Sequence, residues 1–317
     1  MPDIQSLTLA DRDLVTEYLH RYPPEISEHT FTNLFIWQPS RPVFFTEIDN
    51  SLVFLVKSVN GEGQYIMYGP PVGNTNIPDI ISAFDSSDSG GSNSVIGAVR
   101  IPNKNPQDLL PEKYGMTEDR DNSDYVYLIS DLAELGGRRF SKKRNKVKQC
   151  LNNHFCEYVP MTPELIAECE TMQENWCHTR DCGQNPGLCN EANAIAETFA
   201  HFEDFGLLGG AIRVDGSIQA YAIAEELHPG TAVWHFEKAM ADIPGLGQLI
   251  NQWFSKYGLS DFDYVNREQD LGVPGLRQAK QSYFPHHMVG KNSLSLSTRK
   301  LITAKSIKAE GCAEHEH

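Results

Sequence analysis

The sequence lacks the features that carry a protein into or across a membrane. No apolar stretch approaches the roughly 20 residues that a membrane-spanning helix needs. The opening residues, MPDIQSLTLADRD, contain neither the basic nor the apolar block of a secretory signal peptide. We therefore expect a cytoplasmic protein with no stable membrane insertion.

Cysteine is scarce as well, and its arrangement does not favour a metal site. Seven cysteines in 317 residues, an odd number, favour reduced thiols over a disulfide framework in the cytoplasm. Cys177, His178, Cys182 and Cys189 lie close together in sequence, and zinc prefers such nitrogen and sulfur ligands. Their C-H-x3-C-x6-C spacing lacks the C-x2-C pair of a typical zinc site. We predict no bound metal and a loop of reduced thiols near the acceptor cleft.

Basic residues are outnumbered, yet they are concentrated in one segment. The formal net charge is −15, whereas residues 138–148, RRFSKKRNKVK, contain seven basic residues and no acidic one. The segment is either a dock for phosphate groups or a solvated helix face that offsets nearby acids. As a dock it would use Arg138, Arg139, Lys142, Lys143 and Arg144. The spacing of Phe140, Val147 and Leu151 predicts a helix over 138–151 that buries these three side chains.

The order of predicted elements divides the chain into two similar halves. The first half reads as helical to about residue 36. It continues with the strands VFFTEI, SLVFLVKSV and QYIMYG, the helix IPDIISAF, the exposed loop DSSDSGGSNS, and the strands SVIGAVRI and DYVYLIS. Helices, an antiparallel meander and a strand-helix-strand unit thus follow one another.

The second half repeats this order with different residues. It reads as the strand FCEYVPM, two helices from TPELIAEC and NEANAIAETF, a hairpin through Asp215-Gly216, the strand TAVWHFEKAM, the helix GLGQLINQWF, the strand FDYVNRE, the helix GVPGLRQAKQSYF and the strand HHMVGKNSLSL. We predict an α/β protein with domains at 1–130 and 131–317. Each domain would have a mixed, mostly antiparallel sheet flanked by helices.

The junction between TAVWHFEKAM and the following helix resembles the strand-turn-helix junction of the GNAT acyltransferase superfamily. There, a Q/R-x-x-G-x-G/A turn precedes a helix whose N-terminus faces the donor pyrophosphate. DIPGLG, residues 242–247, occupies that place, and helix N-termini bind anions. The expected donor-binding residues are Pro244, Gly245, Leu246, Gly247 and Gln248. Asp242 replaces the usual Gln or Arg and Pro244 has no N–H, so both argue against an acyl-CoA donor.

Four longer blocks resemble one bacterial family. They are similar to the family grouped with the C-terminal domain of phosphatidylglycerol lysyltransferase. The blocks are EHTFTNLFIW, DLAELGGRRFSKKRNKVKQC, HFEKAMADIPG and YVNREQDLGVPGLRQAKQSYFP. The resemblance covers nearly the whole chain and implies two tandem GNAT-like domains. The named relative transfers lysine from a transfer RNA to a membrane lipid. This chain lacks that enzyme's membrane-embedded portion, so lipid lysylation is not part of our expectation.

Acyl transfer needs a base, oxyanion donors and an acid for the leaving group. Strand alternation predicts that His235 and Glu237 share one face of VWHFEKA, and these are the best base candidates. Glu225, at the end of the neighbouring strand, would lie beside them. For each acid, the alternative is a surface charge or a structural hydrogen bond.

The GNAT resemblance implies further roles near the end of the chain. Asn266 ends a strand where a GNAT cleft would open, and Tyr283 matches a tyrosine that commonly protonates the leaving group. Arg277 and Lys280 share a helix face with Tyr283 and suit donor phosphates or carboxylates. Alternatively, Tyr283 belongs to the core and the two cations are solvated.

These observations predict an acyl- or aminoacyltransferase with its cleft in the second domain. The donor co-substrate would be an aminoacyl-tRNA, which gives the basic helix a purpose, or an acyl-CoA, with no permanently bound cofactor. The acceptor would be an amine or hydroxyl of a small molecule or peptide. The alternative is a catalytically inactive GNAT-like module that binds a nucleotide, a peptide or RNA.

Overall fold

The computed structural model describes residues 2–58, 63–85, 94–103 and 115–295. The predicted loop DSSDSGGSNS falls almost wholly outside these residues, as does most of the turn predicted at 61–63. Within the described chain, no helix combines the length and the apolar character needed to cross a membrane.

The described chain forms two compact units. The first unit contains the described residues up to 124 together with 269–273 and 288–295, and the second contains 125–268 and 274–287. The sequence predicted two continuous domains, 1–130 and 131–317. In the structure, by contrast, segments from the end of the chain contribute to both units.

The first unit is built around a seven-stranded sheet in the order β1-β2-β3-β4-β5-β14-β6. Its strands are β1 (Gln5–Ser6), β2 (Val43–Ile48), β3 (Ser51–Lys57), β4 (Gln64–Tyr68), β5 (Ser94–Pro102), β6 (Gly115–Glu118) and β14 (Lys291–Ser295). Only β4 and β5 run parallel among these neighbours, because helix α3 (Ile77–Asp85) connects them. Helices α1 (Arg12–Arg21) and α2 (Phe31–Phe35) complete the unit.

The second unit has a sheet of the same size in the order β8-β9-β10-β11-β12-β7-β13. Its strands are β7 (Asp124–Leu128), β8 (Cys156–Pro160), β9 (Leu208–Val214), β10 (Ser217–His228), β11 (Thr231–Ala239), β12 (Tyr264–Asn266) and β13 (His287–Val289). The pair β11 and β12 is parallel, and helix α8 (Leu246–Trp253) joins it, as α3 joins the parallel pair of the first sheet.

Further helices, besides a short 3-10 turn at Cys182–Gln184, belong to the second unit. They are α4 (Ile129–Glu134), α5 (Ser141–Asn153), α6 (Pro163–Arg180), α7 (Pro186–Ala200), a π-helical turn at Phe254–Gly258 and α9 (Pro274–Gln281). Helix α8 packs against β10, β11, α4 and α5, while α6 packs against α7 and β10. The predicted fold class, two mostly antiparallel sheets flanked by helices, is therefore confirmed.

Each sheet takes one strand from the other half of the sequence. The sixth position of the first sheet is filled by β14, which pairs with β5 and β6. The corresponding position of the second sheet is filled by β7, which pairs with β12. The segment HHMVGKNSLSL, predicted as one strand of the second domain, is therefore two strands in different sheets. Alternation within a strand does not specify its partner, so the pattern gave no sign of this exchange.

A buried ion-pair cluster lies where β14 begins. The Lys291 ammonium contacts Glu28 Oε2 at 2.5 Å and Asp124 Oδ1 at 2.6 Å. Arg100 Nε lies 3.0 Å from the other oxygen of Glu28. The side chains of Lys291 and Asp124 are both 0% exposed, so the charges depend on one another for compensation. Asp124 and Lys291 are also the first residues of the two exchanged strands.

The predicted basic helix forms, and two of the three side chains predicted to be buried are buried. Helix α5 buries Val147 and Cys150, and Phe140 is buried just before its start. Leu151, predicted to be buried, is 41% exposed, so that part of the prediction is wrong. The predicted hairpin turn forms between β9 and β10, with Asp215 and Gly216 both at positive φ.

Candidate active site

The two parallel strands of the second sheet separate at the centre of the unit. Pairing between β11 and β12 runs from Thr231 with Tyr264 to Val233 with Asn266 and then stops. Strand β11 continues to Ala239, whereas β12 ends at Asn266. Side chains that follow this point on either strand lie beyond the β11–β12 pairing, and this place is called the opening below.

A β-bulge at His235 interrupts the alternation of β11. Ile223 of β10 pairs with Phe236, and the next residue, Ala224, pairs with Trp234, which leaves His235 without a cross-strand partner. The side chains of His235 and Glu237 consequently have no hydrogen-bond partner in common. The bulge interrupts, at His235, the simple alternation on which the prediction of a shared face for these two residues was based.

His235 lies between two carboxylates. Its Nε2 is 2.8 Å from Glu225 Oε1 and its Nδ1 is 3.0 Å from Glu268 Oε1, and the ring is 1% exposed. Burial alone would lower the pKa of His235, but hydrogen bonds and charge interactions with Glu225 and Glu268 outweigh it and raise the pKa to about 9. The ring is therefore an imidazolium near neutral pH and donates to both carboxylates. In this protonated state it holds Glu225 and Glu268 in place and has no lone pair for a substrate proton.

Glu237 belongs to a second network at the opening. Its Oε2 accepts a hydrogen bond from Arg267 Nη2 at 2.9 Å and one from Asn251 Nδ2 at 3.2 Å. Asn251 is fully buried on α8, and Arg267 directly follows β12. The Glu237 side chain remains 23% exposed. It is thus a carboxylate that is fixed from two elements and still reached by solvent.

Three aromatic rings surround the Arg267 guanidinium. Its Cζ lies 4.6 Å from the ring centre of Trp234, 5.6 Å from that of Tyr283 and 5.8 Å from that of Tyr127. Burial raises the pKa of both tyrosines, and the Glu237 charge raises that of Tyr283 further. Both phenols therefore keep their protons near neutral pH and remain hydrogen-bond donors. The rings also limit the water around the Glu237–Arg267 pair, which strengthens the pair's interaction.

One ammonium group of the basic helix α5, that of Lys143, lies beside one of these aromatic rings. Lys143 Nζ donates to Ser282 Oγ at 2.7 Å and lies 3.8 Å from the Tyr283 ring centre. Burial, followed by the Arg267 charge, lowers the pKa of Lys143. Arg144 also turns inward and donates to the carbonyl oxygens of Leu135 and Gly137.

The other predicted docking residues have a different environment. Arg138, Arg139 and Lys142 are exposed, and Arg139 forms an ion pair with Asp131 at 2.6 Å. The five predicted residues thus separate into three that face solvent and two that face the protein.

Helix packing explains one glycine of the predicted donor turn. Gly245 caps α8 at φ 94°, and a Cβ there would overlap the carbonyl oxygen of Lys146 on α5. Leu246 is fully buried beneath the turn, whereas Pro244 is exposed. Gly247 is the opposite case, since a Cβ added there would meet no atom within 4 Å. A close approach between two helices therefore requires Gly245, whereas Gly247 has room for a side chain.

The remaining predicted residues support the backbone around the opening. Asn266 is fully buried, and its Oδ1 accepts a hydrogen bond from the Glu268 N–H at 2.8 Å. Lys280 Nζ donates to the carbonyl oxygen of Arg267. Arg277 lies on α9 and is partly exposed.

Only some of the predicted catalytic residues come together. Glu237 and Tyr283 meet around Arg267, while His235 and Glu225 form the other network. Sequence reasoning missed Asn251. This polar residue lies among Leu249, Ile250 and Phe254 of the apolar stripe, and its position there was a usable signal. It also gave Arg267 no role.

No metal-binding group is present in the described residues. Three or more His, Cys, Asp or Glu side chains arranged to hold a metal ion are not found there. Cys177 and Cys182 carry free thiols, and Cys182 is buried.

Comparison with known families places the chain among related proteins. The model of the family described as phosphatidylglycerol lysyltransferase, C-terminal, matches residues 19–292. The chain therefore belongs to this family, as its sequence blocks predicted. No curated protein matches the sequence.

Solved structures agree with this assignment. A conserved protein of unknown function from Bacteroides thetaiotaomicron is 33% identical, with a TM-score of 0.84 over 94% of this chain and 100% of that one. L-PGS from Bacillus licheniformis is 13% identical, with a TM-score of 0.62 over 92% and 93% of the two chains. FemX is 11% identical, with a TM-score of 0.58 over 92% and 96%. The last two similarities show a shared fold.

Proposed function

We propose that this protein is an aminoacyltransferase whose reaction takes place at the Glu237–Arg267 pair. The observation that carries the proposal is a carboxylate held by Arg267 and Asn251, exposed at the point where β11 and β12 separate. A partly desolvated carboxylate that solvent still reaches, beside half-buried cations, suits a base for acyl transfer. Membership of a family named for a lysyltransferase supports the same reaction class.

Each role in the reaction has a candidate side chain. The acceptor amine or hydroxyl attacks the ester carbonyl of the donor and passes its proton to Glu237. Arg267 and Lys143 supply positive charge for the oxyanion that develops on the carbonyl oxygen. As the ester C–O bond breaks, Tyr283 donates a proton to the departing hydroxyl oxygen. His235 and Asn266 act as positioning residues, because they fix the backbone and carboxylates around β11 and β12.

The donor that fits best is an aminoacyl-tRNA. The exposed cation Lys142 lies on helix α5 and exposed Arg138 lies just before it, and the same helix places Lys143 against Tyr283. A polyanion bound on the outer side of α5 would therefore lie close to the reacting groups. An acyl-CoA is less suitable, because Pro244 lacks an N–H and helix packing already accounts for Gly245. The acceptor, an amine or a hydroxyl, is left to experiment.

Radiolabelled donors test this proposal. Mixed aminoacyl-tRNAs and acetyl-CoA are each incubated with the protein and with hydroxylamine or phosphatidylglycerol vesicles as acceptors. We expect transfer from aminoacyl-tRNA, and Glu237→Gln should slow it about 100-fold or more, the range for loss of a general base. Glu226→Gln is the matched control, since Glu226 is exposed on the neighbouring strand β10.

Two results would contradict the proposal. Transfer from acetyl-CoA alone would show that the donor is wrong. RNA binding without turnover under every acceptor condition would favour the alternative, a binding module that has kept the fold.

A further inference from the structure

Phe284 places an aromatic ring at the edge of the candidate active site. The preceding residue, Tyr283, is 7% exposed and faces Arg267. Phe284 is 41% exposed and faces the other way, toward the start of the basic segment. Two consecutive rings thus connect the buried centre with the protein surface.

The backbone at Phe284 is strained. Phe284 has φ 56° and follows the last turn of α9, a position where glycine is the usual residue. A bulky side chain is strained in this left-handed conformation, and glycine would avoid the strain. Strain of this kind persists where the side chain has a task, so the position points to a role for the ring itself.

One cation and a second ring pack against Phe284. Its ring packs edge to face against buried Phe140, with ring centres 5.4 Å apart. The Arg139 guanidinium lies 5.6 Å from the Phe284 ring centre and its side chain is 48% exposed. Arg138 and Lys142 are exposed on the same segment. An exposed, fixed ring beside several cations is the arrangement that binds unpaired nucleotides, since bases stack on the ring while phosphates pair with the cations.

We propose that a base of the unpaired 3′ end of a tRNA stacks on Phe284, with Arg139 and Lys142 binding the adjoining phosphates. This inference rests on the proposed aminoacyltransferase function and specifies how its donor is held. A base on Phe284 would set the aminoacyl ester next to Tyr283 and Lys143. Phe284 is thus a donor-specificity residue that takes no part in proton transfer.

RNA binding measured without catalysis tests the inference. The probes are deacylated bulk bacterial tRNA and the same tRNA with its unpaired 3′ nucleotides removed, each titrated by fluorescence anisotropy. The wild-type protein should bind the intact tRNA roughly 5- to 100-fold more tightly, the effect of one base-aromatic stack. Phe284→Gly should abolish this preference, whereas Phe284→Trp should retain it.

The variants also separate stacking from folding and charge. Phe284→Gly relieves the strained backbone, so its unfolding transition should remain close to that of the wild type. Phe155→Ala removes another exposed ring, 68% accessible, and should leave the preference intact. Lys142→Gln should weaken binding of the intact tRNA and lower its salt slope by about 1.

The outcomes distinguish this inference from the function on which it rests. If Phe284→Gly keeps the wild-type preference for intact tRNA, the stacking site is wrong while the donor class stands. If the wild-type protein binds neither tRNA in a salt-dependent way, the donor class and the stacking site both fail.

Discussion

Changing His235 to glutamine should remove a pH-dependent part of the protein's stability. The pKa of His235 is raised from 6.5 to about 9 in the folded protein. Because the folded pKa is the higher one, protonation stabilises the fold fully below the unfolded pKa. This stabilisation is lost as pH rises through the folded pKa. The affected window therefore extends from about pH 6.5 to pH 9.

The size of the effect follows from the shift. One pKa unit corresponds to roughly 1.36 kcal/mol, so the full contribution is on the order of 3 kcal/mol. Most of it should be present at pH 7 and almost none at pH 10. Titration of other groups should lower the stability of both proteins at high pH. The useful quantity is therefore the difference in free energy of unfolding between wild type and His235→Gln.

Urea unfolding between pH 6 and pH 10 measures this difference. The gap between wild type and His235→Gln should shrink by about 2–3 kcal/mol across the window. His20→Gln, at an exposed position of α1, is the control and should follow the wild-type profile. Histidine NMR supplies an independent value, because the His235 ring signals should titrate near pH 9.

Either of two results would refute the reasoning. Parallel stability profiles for wild type and His235→Gln would mean that the ring is neutral in the folded protein. An NMR midpoint below pH 7 would mean the same. In that event His235 would again be a candidate base.

Two further predictions concern packing and buried charge. Gly245→Ala should destabilise the protein by about 2–5 kcal/mol in urea unfolding, since a methyl group would be strained at positive φ and would overlap α5. Gly247→Ala should instead be neutral or stabilise by up to about 1 kcal/mol, and equal losses would contradict the packing argument. Lys291→Met should cost about 3–5 kcal/mol, because it removes the buried cation that contacts both Glu28 and Asp124 and leaves Arg100 as the cation beside Glu28. Arg21→Met, which breaks an exposed pair, should cost less than about 1 kcal/mol, and a similar loss in both would contradict the assignment.

Local sequence signals specified much of the fold. The Asp215-Gly216 turn, the apolar stripe of α8 and the basic helix each follow from a few neighbouring residues. The stripe of α5 was misplaced by one position, with Cys150 buried in place of Leu151. Helical periodicity permits either residue, and packing against α8 decides between them.

The parts that sequence reasoning missed depend on distant residues. The bulge at His235 results from pairing with β10, and no residue of β11 marks it. Alternation also does not show which strands pair, because β7 and β14 would alternate in the same way in either sheet. For the site, alternation in β11 led to Glu237 and the end of β12 led to Asn266. The Arg267 guanidinium was identified only from its contacts.

The exchange of β7 and β14 has a consequence for how the protein is made. During synthesis, β5 and β6 emerge long before β14, which begins at Lys291 and lies between them in the finished sheet. Until then both strands have an unpaired edge, the kind of edge on which chains aggregate. A fragment that ends before residue 291 would keep this gap permanently. The two sheets are thus a single unit of biosynthesis, and neither half of the sequence can be expressed alone as a finished domain.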